Sequence, residues 1–293
     1  MRFAGHETFP IRTGWLSKGL RLLGRAGGGA FDRPDLADEL GVGRNMAKSI
    51  RFWLDVLGLA GRRGKGDPLE PTPLGKLVCD RDPYFQHTAT WWVLHVNLVT
   101  HRDVAVAWRW FFNDFAPERF DRLTCSEELV AALERQGQRL PSRETVAREV
   151  ACLLQSYATP VPAEQEDPED AADCPLRQLG LLSCHRDTGA YDRRFAARWV
   201  PPELLGYVLA RRSGAGHGGT VELPFADSLV AAEGPGRVLG LNAEGLAALV
   251  SRAAEALGPE QVRFFLLGGE RMIAVANRSP GAWLASYYDR VGV

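Results

Sequence analysis

Arg44, Lys48 and Arg51 stand at i, i+4 and i+7, a spacing that puts all three on one side of a helix, with Asn45 and Ser49 flanking them. Cations repeated along one helical face can meet phosphate oxygens of a nucleic-acid backbone. Met46, Ile50, Trp53, Leu54 and Leu57 fall within roughly 100° of one another at the helical period, nearly opposite the cations. The helix therefore has an apolar face for a core and a basic face for a partner.

The flanking residues supply the elements that would hold such a helix in place. Asp32-Arg33-Pro34-Asp35 offers a capping carboxylate and a proline suited to a first turn. Leu36, Ala37 and Leu40 then share one face of a short helix that Gly41 ends. Val42-Gly43 forms a brief connection, and Arg44 opens the basic helix. Past Gly58 the pattern turns to a short apolar piece, Leu59-Ala60, a glycine-broken basic loop carrying Arg62, Arg63 and Lys65, and a second extended piece around Leu69. Thr72-Pro73 starts another helix. Residues 31–77 thus read as a winged helix-turn-helix, in which the basic helix enters a groove while the hairpin tip lies beside the duplex. Residues 1–80 hold thirteen Lys plus Arg against nine Asp plus Glu, although the whole chain is formally −1. The local excess favours a nucleic-acid partner.

The rest of the chain sets wider bounds. With 293 residues, 45% hydrophobic and 24% charged, it is an ordinary globular composition that can fill two or three domains. The expected class is mainly α with small β wings. Its expected organisation is a winged helix-turn-helix domain over 1–80, a helical domain over 81–159, an acidic linker or loop over 160–175, and a C-terminal α+β domain over 176–293. Within the helical part, Trp91, Trp92, Trp108, Trp110, Phe111 and Phe112 lack interleaved lysines and are read as core. Helices are expected at 126–136, 142–157, 202–212, 223–232 and 243–257, and strands at 262–267 and 271–275 flank a Gly268-Gly269-Glu270 turn. This second helix-then-hairpin pattern resembles a winged helix but shows Glu244, Ser251, Arg252 and Glu255 where a basic stripe would stand, which favours a structural or subunit-contact role and leaves a homo-oligomer open. Five scattered cysteines form no disulfide or zinc pattern and suit a reducing cytoplasm. No stretch is apolar enough to span a membrane, and neither glycine-rich run ends in the Lys-Ser/Thr of a nucleotide-binding loop.

One segment remains. Gly5-His6-Glu7-Thr8-Phe9-Pro10-Ile11-Arg12, continuing through Gly14-Trp15-Leu16 to Lys18-Gly19, gathers polar functional groups ahead of the helix-turn-helix. This opening together with the module that follows resembles an uncharacterised-domain family found beside phosphorothioation genes, belonging to single-strand DNA phosphorothioation systems of antiphage defence, and the resemblance covers most of the chain. It implies a DNA-nicking endonuclease that works with a cysteine desulfurase, an ATPase and an ATP-pyrophosphatase-like protein to exchange a non-bridging phosphate oxygen for sulfur. Under that reading His6 would act as general acid or base, Glu7 as base or metal ligand, and Arg12 or Lys18 as phosphate clamp, with a divalent Mg or Mn ion admitted and no organic cofactor. His6 and Glu7 point to opposite sides of an extended chain, so their partners must come from elsewhere; Asp32, Asp35 and Asp55 are available. Tyr287 or Tyr288 beside Arg290 is a further candidate nucleophile. The alternatives are a non-catalytic DNA-binding adaptor or transcription regulator, and an interaction scaffold that uses the same fold.

Overall fold

The computed structural model describes residues 3, 5–161, 174–195, 200–214 and 218–293. The acidic stretch expected as a linker lies outside these residues between 162 and 173, as does 215–217 of the second glycine-rich run. Among the described residues the chain is mainly helical with three small sheets. One hydrophobic cluster extends from Ile11 to Tyr288.

The chain enters this core earlier than its polar opening suggests. Helix α1 (Trp15–Ala26) begins within the segment read as functional groups, and Trp15, Leu16, Leu20 and Leu23 are buried. A 3-10 turn (Gly28–Asp32) leads to α2 (Leu36–Leu40), which ends at Gly41 in the left-handed conformation, φ 65°. Helix α3 (Arg44–Val56) follows with Ile50, Trp53 and Leu54 fully buried. Close approach of α1 to α3 depends on Gly19, where a Cβ would lie 2.7 Å from Leu54 Cδ1. Strands β1 (Ala60–Gly61) and β2 (Glu70–Pro71) pair antiparallel and frame the basic loop. Helix α4 (Pro73–Arg81) is capped by Thr72, whose hydroxyl accepts from Gly75 N at 3.0 Å.

Helix α5 (Thr88–Val99) has no polar face and is buried all round, as expected of a helix at the centre of a core. It packs against α6 (Val106–Asn113), and the six aromatics read as core residues are all buried. Buried Asp82 anchors its start by accepting from Gln86 N, His87 N and Thr90 Oγ1. The Thr90 hydroxyl also meets the Tyr288 hydroxyl at 2.7 Å, and Tyr288 is fully buried, which removes it as a nucleophile.

His95, in the middle of α5, is fully buried between the Tyr157 hydroxyl at 2.8 Å and the Val238 carbonyl at 2.7 Å. Burial pushes its pKa from 6.5 down to about 4, against an opposing hydrogen bond to Val238. The folded chain thus keeps this imidazole neutral, whereas the unfolded chain protonates it below pH 6.5. Stability from this group is complete above that pH and declines to about pH 4, a loss of about 3 kcal/mol at one pKa unit per ~1.4 kcal/mol. Urea unfolding of a His95→Gln variant across this range should show a shallower acid loss than the wild type. Parallel curves would contradict the assignment.

The middle of the chain continues with β3 (Arg119–Phe120), α7 (Arg122–Arg135), α8 (Arg143–Tyr157) and β4 (Ala158–Val161). A second 3-10 turn (Pro175–Leu179), β5 (Leu182–His185) and β6 (Ala190–Arg193) complete a four-stranded sheet in the order β3-β6-β5-β4, with β4 parallel to β5. Helix α7 starts at Arg122 rather than at 126, because Asp121 caps it through Thr124 N at 2.7 Å. Strand β4 was not foreseen: Ala-Thr-Pro-Val has no alternation, and its pairing partner is distant in sequence.

The C-terminal part comprises α9 (Glu203–Ser213), β7 (Thr220–Pro224), α10 (Phe225–Val230), α11 (Pro235–Val238), α12 (Ala243–Leu257), β8 (Val262–Leu267), β9 (Glu270–Ala276) and α13 (Pro280–Val291). Asn242 caps α12 through Gly245 N at 2.8 Å, and Gly268 and Gly269 make the β8–β9 turn with φ of 61° and 85°. The helix expected over 223–232 instead begins as β7, which pairs with β9 and makes the hairpin a three-stranded sheet. Among the described residues no helix is long and apolar enough to cross a membrane.

Candidate nucleic-acid interface

The apolar arc of α3 is held by α1 and α2, which leaves the opposite side facing outward. Arg44, Asn45 and Lys48 are exposed there, and the Arg51 side chain is 40% accessible. Lys48 Nζ donates to Asn45 Oδ1 at 3.3 Å. Ser49 does not belong to this face. It is fully buried, and its hydroxyl has no hydrogen-bond partner among the described residues. Its position beside the apolar arc is covered because two helices pack on α3, so the contact arc is wider than the apolar residues alone indicate.

The hairpin loop brings further cations to the same side. Arg62 Nη2 donates to Asp32 Oδ1 at 2.7 Å, and Arg51 Nη1 lies 3.5 Å from that same oxygen. Asp32, a residue read mainly as a cap, therefore ties the hairpin to the end of the 3-10 turn and to α3. Arg62 also donates to the Asp67 carbonyl, which closes the loop on itself. Arg63 pairs with Glu70 at 3.3 Å, whereas Arg44 and Lys65 have no ion pair among the described residues. The surface is thus less positive than a count of cations suggests. Exposed pairs of this kind are weak, on the order of 0–1 kcal/mol, and an incoming phosphate can compete for the guanidinium groups.

The N-terminal segment divides its functional groups between surface and interior. Glu7 and Thr8 both adopt left-handed backbone, φ 50° and 67°, and Phe9 N donates to the His6 carbonyl at 2.9 Å to close the turn. That conformation is costly for side chains bearing a Cβ, and it is maintained here by what lies on either side. His6 is 1% exposed, its Nε2 is 3.0 Å from Glu149 Oε1 on α8, and its ring lies against Phe52, Trp53 and Trp108. The imidazole is packed in the core, so the expected role as an acid or base at an open site is corrected. It fastens the N-terminal segment to α3, α6 and α8. Aromatic residues at 52, 53 and 108 are in the sequence, but nothing in their spacing shows that they converge on residue 6.

Glu7 faces the other way, with its carboxylate 3.9 Å from Lys48 Nζ. Glu7, Lys48, Arg51, Asp55 and Arg62 line a cavity of about 350 Å³ between α3 and the hairpin. Arg12 is elsewhere: its guanidinium carbon lies 5.7 Å from the ring centroids of both Phe9 and Trp15, and it borders a separate cavity of about 640 Å³. Lys18 is exposed on α1. The three residues grouped as catalytic are therefore not brought together. Arg290, near the candidate tyrosines, is bound to Glu203 through Nε at 2.6 Å and Nη2 at 3.1 Å.

A divalent ion requires oxygen ligands, and among the described residues no group of three or more His, Cys, Asp or Glu is arranged to hold a metal. Glu7 and Asp32 are instead engaged with Lys48, Arg51 and Arg62.

Among curated proteins none matches the chain. Two solved structures share its fold, an SspB crystal structure and a magnesium ion-bound SspB crystal structure, each with a TM-score of 0.84, 23% sequence identity, and coverage of 99% of this chain and 88% of that one. At this identity the likeness establishes the architecture. The sequence pattern of the family described as protein of unknown function (DUF4007) matches residues 3–288, and the chain belongs to that family.

Proposed function

We propose that the chain binds duplex DNA through α3 and the β1–β2 hairpin, acting together as a winged helix-turn-helix, and that it nicks DNA within a phosphorothioate modification system. The observation that carries the binding half is the coincidence of two basic elements on one side: the outward face of α3 with Arg44, Asn45, Lys48 and Arg51, and the loop bearing Arg62, Arg63 and Lys65. In this reading α3 lies in the major groove and the loop meets the flanking phosphates. The place within a phosphorothioate modification system is supported by the fold shared with SspB, and the nicking half by the family resemblance of residues 5–19. The system partners implied are a cysteine desulfurase, an ATPase and an ATP-pyrophosphatase-like protein.

Within that reading, Glu7 is the member of the catalytic trio that stands beside the DNA-facing surface. Its carboxylate can take a proton from an attacking water, and Lys48, Arg51 and Arg62 can offset charge gathering on the phosphorus oxygens. Conversion of supercoiled plasmid to open circles, followed with Mg²⁺, with Mn²⁺ and with EDTA, tests it. Glu7→Gln should lower the nicking rate by about 100-fold, the lower range for a lost general base, while keeping duplex affinity. Nicking at the wild-type rate by Glu7→Gln would remove Glu7 from the chemistry. The second reading, a non-catalytic DNA-binding adaptor or regulator, is favoured by the dispersal of His6, Glu7 and Arg12. It predicts retarded but intact plasmid in every metal condition.

A further inference from the structure

A cavity of about 640 Å³ opens where α1 begins and is bordered by the loop after α4, by β4 and by the 3-10 turn at Pro175–Leu179. This volume lies within the range of about 300–1,000 Å³ usual for small-molecule sites. At one wall the Arg12 guanidinium carbon lies 5.7 Å from the ring centroids of both Phe9 and Trp15, and Arg12 makes no ion pair among the described residues. Contact with two rings narrows the directions open to this guanidinium, which lowers the ordering cost of meeting an anion. Next to it, Gly14 caps α1 in left-handed backbone, φ 80°, with no side chain on the helix amides, and Leu16 and Ser17 of the first turn line the cavity. Trp15 N donates to the Arg12 carbonyl at 3.1 Å, and the Leu16 and Ser17 amides of this twelve-residue helix add donors and partial positive charge at the same place. Arg177, whose Nε donates to the Gln155 carbonyl at 3.1 Å, borders the same space. At the rim Tyr84 is 66% exposed, and Phe85 and Trp91 supply an apolar floor.

We infer that this cavity takes one nucleotide unit, a deoxynucleoside 5′-monophosphate, with the phosphate on Arg12 and the first turn of α1 and the base against Tyr84. The inference rests on the DNA reading above and extends it to a second site. Arg12 and Glu7 are five residues apart, so they lie within about 18 Å of each other, and a strand crossing α3 can deliver an unstacked nucleotide to the cavity. The same chemistry would be offered by a free nucleotide. An exposed tyrosine lining the same cavity as a cation suits a base joined to a phosphate better than phosphate alone.

The test is titration of the full chain with thymidine 5′-monophosphate, inorganic phosphate and a single-stranded oligothymidylate, read by quenching of tryptophan fluorescence. Saturable quenching by the nucleotide is expected. Arg12→Ala should weaken it about tenfold or more. Tyr84→Ala, at an exposed position that folding tolerates, should weaken the nucleotide about tenfold and leave inorganic phosphate unchanged. Competition by the oligothymidylate would identify the strand as the source of the unit, and nucleotide binding without competition would identify a free nucleotide; both uphold the site. Absence of saturable quenching, or wild-type nucleotide affinity in both variants, overturns it. Wild-type duplex affinity measured alongside separates the two proposals: duplex binding without nucleotide binding rejects only the cavity, and nucleotide binding without duplex binding rejects only the α3 surface.

Discussion

Replacing Arg44 and Lys48 together by alanine should weaken duplex DNA binding by about tenfold or more and reduce the salt slope of binding by about two, one for each phosphate contact removed. Both side chains are exposed and neither contributes to the apolar core, so the fold of α3 should survive the change. Among the described residues Arg44 has no ion pair, and Lys48 meets only Asn45 and, at 3.9 Å, Glu7. Little intramolecular interaction is lost with them. By contrast, Arg51→Ala would also remove a contact to Asp32, mixing a stability effect with a binding effect. Fluorescence anisotropy with a labelled duplex checks the prediction, with the thermal midpoint measured on the same samples. Unchanged affinity in the double variant would exclude α3 as the contacting helix.

His6→Ala should destabilise the fold by about 3 kcal/mol or more, since it removes one partner of a buried pair and leaves a void among aromatic rings. For a chain of this size that corresponds to a thermal midpoint lower by roughly 6 °C or more. Loss of the His6–Glu149 contact also frees the strained Glu7–Thr8 turn, so Glu7 should lose its position beside Lys48. An activity loss in this variant would then reflect displacement of Glu7. His6→Gln, which keeps a donor of similar reach, should recover part of the stability. Calorimetry distinguishes this account from one in which His6 is a reacting group: an unchanged midpoint with lost nicking would contradict the structural role.

The basic face of α3 was legible because helical periodicity separates Arg44, Lys48 and Arg51 from Ile50, Trp53 and Leu54 without knowledge of the neighbours. The same held for Gly41 as a helix end, Thr72-Pro73 as a helix start, and Gly268-Gly269 as a hairpin turn, all of which depend on local backbone requirements. Ser49 was misplaced because helical angle alone does not reveal how wide a contact the neighbouring helices make. His6 was misread for a related reason: a polar residue in a polar segment gives no sign that Glu149, so distant in sequence, will meet it in the interior. Strands β4 and β7 exist through pairing with strands remote in sequence, and β4 leaves no alternation to mark it. The cavity at Arg12 joins residues from four separate stretches, and nothing local in any of them shows that they meet.

The account stands most directly on duplex binding by the wild-type chain across salt. Anisotropy titrations between about 50 and 200 mM salt should show the affinity falling by tens of fold, the slope expected of about three phosphate contacts from Arg44, Lys48 and Lys65, and steeper if the paired arginines exchange their carboxylates for phosphates. An affinity that does not change with salt, or no duplex binding at the lowest salt, would contradict it.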